Sequence, residues 1–219
     1  MGKATGNMRQ QIAHGGMAVA LLATLAVPAA SPARADQDFN LIALSSLAVI
    51  GAGMIGDHLR GNDLWAEGPE EPFRITFGAG AHNVRLDNET DKGNDTVSMF
   101  RLEARLPYKL WRFTPITGLE VTDRGAVYGY GGFMLDVFFG ERFLISPSAA
   151  VGFYSEGDGR DLGYPLEFRT GLEAAYQFDH GGRLGVAYHH ISNAELGDRN
   201  PGIETLTLNY ALPLDLLFD

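Results

Sequence analysis

Leu166–Ser192, LEFRTGLEAAYQFDHGGRLGVAYHHIS, reads as two strands joined by a tight turn. In its first half Leu166, Phe168, Leu172, Ala174, Tyr176 and Phe178 fall on one face, and Glu167, Arg169, Glu173 and Gln177 on the other, because successive side chains of a strand point to opposite sides. Asp179-His180-Gly181-Gly182 supplies the turn, after which Leu184, Val186 and Tyr188 alternate with Arg183, Gly185 and Ala187. A soluble sandwich would turn the apolar face inward and leave the charges in water. A small barrel in lipid reverses this, pairing Glu with Arg in a polar interior. Alternation by itself serves both.

The rest of the chain separates them. Strand-length segments fall at about 73–85, 96–107, 111–122, 126–139, 143–154, 164–178, 183–192 and 203–213, eight in all. Each is near the roughly 9–11 residues that a tilted strand needs to cross a bilayer. Tyr108-Lys109-Leu110, Gly140-Glu141-Arg142 and the turn at Asp179–Gly182 are short, whereas LDNETDKGND (86–95), SEGDGRDLG (155–163) and 193–202 are long and polar. Short turns at one end and long loops at the other is the arrangement of an outer-membrane barrel. Asp123-Arg124-Gly125 is the exception, a short turn on the long-loop side. Aromatic segment ends (Trp111, Tyr154, Tyr164, Phe178) and 28 glycines fit the same picture. The expected fold is therefore all-β, an eight-stranded antiparallel transmembrane β-barrel of the bacterial outer membrane, over residues 73–219.

Residues 1–35 read as a cleavable signal peptide. Lys3 and Arg9 precede the apolar MAVALLATLAV, and Ala33-Arg34-Ala35 matches a cleavage site. Residues 36–72 form an extension outside the barrel count. Its apolar run LIALSSLAVIGAGMI (41–55) is compatible with a helix at the membrane surface, a lumenal plug or an additional strand pair. The chain has no cysteine, so no disulfide can form after export, and a closed ladder of hydrogen bonds has to hold the fold. The net charge of −10 argues against a nucleic-acid partner, because phosphate binding needs clustered Lys and Arg.

Chemistry concentrates in the last two segments. His190 and Ser192 continue the apolar face of Leu184, Val186 and Tyr188, and Glu204 leads the apolar face of Leu206 and Leu208. All three are expected to face lipid at the loop-proximal ends of adjacent strands, where a polar group costs least. Ser, His and a carboxylate are the parts of a nucleophilic hydrolase, and a site opening sideways to lipid would act on a lipid. His189 and His190 point to opposite faces, which removes them as a joint metal site. The acidic loops 87–95 and 156–161 read as solvated.

His190-Ile191-Ser192-Asn193, followed by Asn200-Pro201-Gly202-Ile203-Glu204, resembles the lipid A 3-O-deacylase family of outer-membrane barrels. The resemblance implies Ser192 as nucleophile, His190 as general base and Glu204 as the residue orienting His190. It also implies an oxyanion hole from the Asn200 side chain and the Ala194 backbone N–H, with Asn193 shaping the turn or positioning Ser192. The substrate it implies is lipid A of lipopolysaccharide; no cofactor is expected, because such a triad needs none, no metal site is expected, and a homodimer stays open. A non-catalytic lipid-binding or structural barrel and an outer-membrane phospholipase are the competing readings.

Overall fold

The computed structural model describes residues 34–62, 71–84 and 95–217. The expected signal segment lies, apart from Arg34 and Ala35, outside the described residues, as does most of the first long loop. Nine strand segments occur among the described residues: β1 (Arg74–His82), β2 (Val97–Arg105), β3 (Phe113–Thr122), β4 (Val127–Leu135), β5 (Val137–Phe139), β6 (Phe143–Ser155), β7 (Leu166–Gln177), β8 (Arg183–Ser192) and β9 (Ile203–Pro213). All pair antiparallel with their neighbours, and β1 pairs with β9 in register Arg74↔Pro213 to His82↔Thr205, which closes the sheet.

β4 and β5 both pair with β6, so they make one stave and the barrel has eight. The stave breaks at Asp136, whose carboxylate accepts hydrogen bonds from Ser146 Oγ at 2.7 Å and from Arg183 at 2.6 Å. Alternation with Tyr128 and Tyr130 puts Asp136 on the lumenal face, and the ladder is interrupted there for one residue.

The lumen is filled by charges. Arg169 bonds Glu120 at 2.8 Å and Glu103 at 3.2 Å, Arg101 bonds Glu120 at 2.8 Å, and Arg105 bonds Glu173 at 2.9 Å. Tyr130 donates to Glu103 at 2.8 Å, Asn209 donates to Glu173 at 2.7 Å, and the Arg169 guanidinium lies 3.7 Å from the Tyr130 ring centre. Glycine makes room for this filling. A Cβ at Gly171 would stand 2.2 Å from the His189 ring, so the lumenal imidazole fits only over a bare backbone. By contrast Phe77, Phe100, Leu102, Leu119, Val151, Phe153 and Leu208 point outward and are exposed. Tyr154 corrects the sequence reading: it is buried in the lumen, stacked on His82 and donating to the Arg160 carbonyl, rather than standing at a membrane interface.

Removing one member of such a network leaves its partners charged and dry, at a cost of roughly 3–5 kcal/mol. Arg169→Met removes one cation from both Glu103 and Glu120 but leaves them Arg105 and Arg101, so it is expected to destabilise the barrel by about 1–3 kcal/mol, below that full cost. Urea unfolding in lipid vesicles measures it.

The apolar run 41–55 of the extension is helix, not a strand pair, and it lies outside the lumen. Helix α1 (Arg34–Leu59) packs against the outer wall at β5, β6, β7 and β8. A Cβ at Gly53 would lie 2.8 Å from the Val137 side chain, which points away from the lumen. Asp57 of the helix pairs with Arg112 in the short turn between β2 and β3. Leu44, Leu47 and Ile55 are exposed, so between Ile42 and Ile55 the helix turns apolar side chains outward as well as toward the wall, as a helix bathed in lipid would.

Candidate active site

β8 and β9 pair as far as Ile191↔Ile203, and the register sets His190 directly opposite Glu204. Opposed side chains on one face of an antiparallel pair lie about 4.5–5.5 Å apart at Cβ, which lets imidazole and carboxylate meet. His190 Nδ1 lies 3.1 Å from Glu204 Oε1. With Nδ1–H donating to the carboxylate, the ring presents its Nε2 lone pair as a base. Nε2 is buried and has no hydrogen-bond partner among the described residues.

Ser192 follows His190 on the same face, beside Phe168 of β7. Its hydroxyl is adjacent to the imidazole in sequence position and face, but the serine and Nε2 are not hydrogen-bonded. Such contacts are commonly loose before substrate binds. The lipid-facing expectation needs one correction. The three residues occupy the outer face, yet His190 and Ser192 are buried rather than open. His189 points the other way, into the lumen, where its Nδ1 lies 3.1 Å from the Arg101 guanidinium. The two histidines therefore do not converge.

Beyond Ser192 the chain is held by Asn193. Its side-chain Nδ2 donates to the carbonyls of Leu162 and Arg199, each at 2.7 Å, and its backbone N–H donates to Asn200 Oδ1 at 3.0 Å. Asn193 thus ties the β6–β7 loop to the β8–β9 loop at the residue after the serine. With Oδ1 engaged, the Asn200 amide keeps its Nδ2 hydrogens for another acceptor. The Asn193 carbonyl accepts from Leu196 N–H at 3.1 Å across Ala194 and Glu195, whose φ values are +52° and +64°. That is the type I′ pattern, ordinarily filled by Asn or Gly. Left-handed non-glycine residues cost about 1–3 kcal/mol each and concentrate at functional sites. No Asn-Gly marks this turn in the sequence, so its geometry is not legible there; nor are the carbonyl partners of Asn193, which come from distant loops.

Asn193→Ala is expected to lower stability by about 1–3 kcal/mol, because two buried carbonyls lose their donor. Activity should fall further than stability explains, by roughly tenfold or more, since small displacements of a nucleophile are costly. Thermal melting and acyl-release kinetics on one preparation separate the two effects.

The model of the family described as "Lipid A 3-O-deacylase (PagL)" matches residues 76–213. Curated protein sequences give no match. Among solved structures, the crystal structure of the outer membrane enzyme PagL is similar at 22% identity and a TM-score of 0.49, covering 64% of this chain and 99% of that one. A de novo designed transmembrane β-barrel is similar at 12% identity and a TM-score of 0.43, covering 66% and 97%. The Yersinia pestis outer membrane protein Ail is similar at 14% and 0.40, covering 65% and 100%. The family match runs from β1 to the end of β9 and takes in the whole barrel, and the chain accordingly belongs to the lipid A 3-O-deacylase family, outer-membrane enzymes that hydrolyse an ester.

Proposed function

We propose that Ser192, His190 and Glu204 form the catalytic triad with which this chain removes the 3-O-linked acyl chain of lipid A in the outer leaflet. The observation that carries the reading is the His190–Glu204 contact at 3.1 Å, on the outward face and at the loop end of the barrel, with Ser192 next on that face. Ser192 Oγ attacks the ester carbonyl as its proton passes to His190 Nε2. The ester C–O bond then breaks, and His190 returns the proton to the departing glucosamine hydroxyl. Water, deprotonated by the same nitrogen, attacks the acyl-serine; the fatty acid leaves and Ser192 recovers its hydrogen. Glu204 holds the Nδ1–H tautomer and balances the imidazolium.

The Ala194 N–H and Asn200 Nδ2 are the donors proposed for the oxyanion. Each such donor typically contributes about 3–4 kcal/mol to lowering the barrier. The left-handed turn aims the first, and the Asn193 N–H holding Asn200 Oδ1 orients the second. No cofactor enters this sequence of steps. Delivery to the membrane is proposed to use the leader ending at Ala35.

Mass spectrometry of lipid A from cells expressing the chain tests the reading. Loss of one hydroxyacyl chain, absent with Ser192→Ala, is the expected result. Unchanged lipid A accompanied by released phospholipid acyl chains would assign the site to a phospholipase instead. Unchanged lipids of both kinds would leave a binding barrel.

A further inference from the structure

Outward-facing side chains that are buried mark a path across the barrel wall. On β8, Leu184 and Val186 are 42% and 49% exposed, whereas His190 and Ser192 on the same face fall to 1% and 8%. Leu135 and Val137 at the short-turn end of the fourth stave are buried, as is Pro147 on β6, and Thr170 and Leu172 on β7 are partly covered. All of these point away from the lumen by alternation. They form a diagonal from the short-turn end of β5 to the loop end of β8, across the four strands that α1 touches.

The dimensions agree. Val137, Ile145, Ala174 and Val186 form one lateral row across β5 to β8. His190 lies three strand spacings over from Val137 and four residues up, about 14 Å by about 13 Å, a diagonal of about 20 Å. The helix is fixed at the other end of that diagonal by Gly53 against Val137 and by the Asp57–Arg112 ion pair. From Gly53 back to Asp36, the first residue after the proposed leader, it extends about 26 Å at roughly 1.5 Å per residue. Ile42, in the half away from Gly53, is the one buried residue among its described side chains.

We propose that α1 is a strap whose N-terminal half closes the lipid-side entrance to Ser192 and His190, so that an acylated lipid reaches the serine only when the helix as a whole parts from the β5–β8 wall, breaking the Gly53–Val137 contact as it goes. This rests on the triad reading above. The strap makes the enzyme latent in an undisturbed bilayer and active where lipid packing lets the helix part from the wall.

The test uses the full chain in outer-membrane vesicles, with a long-chain alkyl fluorophosphonate as the probe of the serine. Gly53→Cys with Val137→Cys clamps the strap. The ideal Gly53 Cβ lies 3.7 Å from Val137 Cβ, within the roughly 3.5–4.5 Å of a disulfide, and no native cysteine competes. Oxidation of the pair is expected to slow both serine labelling and acyl release at least fivefold, and dithiothreitol to restore both in the same sample. Gly53→Leu drives a side chain into Val137 and loosens the helix, so labelling should quicken at least threefold. A structural role alone would slow both variants and show no recovery on reduction. Labelling within twofold of wild type in the fully oxidised clamp and in Gly53→Leu overturns the strap while sparing the triad. Acyl release from Ser192→Ala at the wild-type rate removes the triad reading, and the strap falls with it.

Discussion

Ser192→Ala is expected to lower acyl release from lipid A roughly 10⁴-fold or more while the barrel still assembles. The reason is that the hydroxyl forms the acyl-enzyme bond through which the ester is cleaved. Without it His190 can at best activate water, and what rate remains comes from binding and the oxyanion donors. The side chain is small and lies past the last β8–β9 pair, Ile191↔Ile203, so its loss leaves the ladder intact. Heat-modifiable migration on gels reports assembly, and release of hydroxy fatty acid from purified lipopolysaccharide reports turnover. A well-assembled alanine variant that keeps more than a tenth of the wild-type rate would remove the serine from the mechanism.

Glu204→Gln should cost almost as much, roughly 10³–10⁴-fold in kcat with KM little changed. The glutamine side chain has the same shape, but a neutral amide neither fixes the Nδ1–H tautomer nor offsets the charge of the imidazolium. The two roles are exerted across the His190↔Glu204 pair at 3.1 Å. A larger part of the loss in kcat than in KM is the signature of an interaction made in the transition state. If the variant fails to assemble, Glu204 belongs to the fold instead. If it assembles with kcat within threefold of wild type, His190 is oriented by something other than the carboxylate.

How much of this is written in the chain depends on the range of the interaction. Eight strand-length alternating segments between 73 and 213, with short turns and long loops between them, are enough to place the staves, and their ends agree with the observed strands within a few residues. The same periodicity sets His190 and Ser192 on one face and His189 on the other. Tyr154 departs from its expected place because an aromatic at a strand end fits an interface and a lumen equally, and its stacking partner His82 lies on another strand. The side-chain partners of Asp136 have no local mark for a similar reason, since Ser146 and Arg183 reach it from other staves.

The sequence by itself determined the barrel, its strand count, its inside and outside, and the side-chain set at the ends of β8 and β9. These follow from local rules of period two and turn length that every folded neighbour must obey. The tertiary structure alone decided where α1 lies, how Asn193 locks two loops behind the serine, and that His190 and Ser192 are covered. The run 41–55, apolar without a polar stripe, has no face to betray its partner, and a buried carbonyl carries no mark of the distant amide that satisfies it. Cover over the site is a property of packed surfaces, settled only when residues far apart in the chain meet.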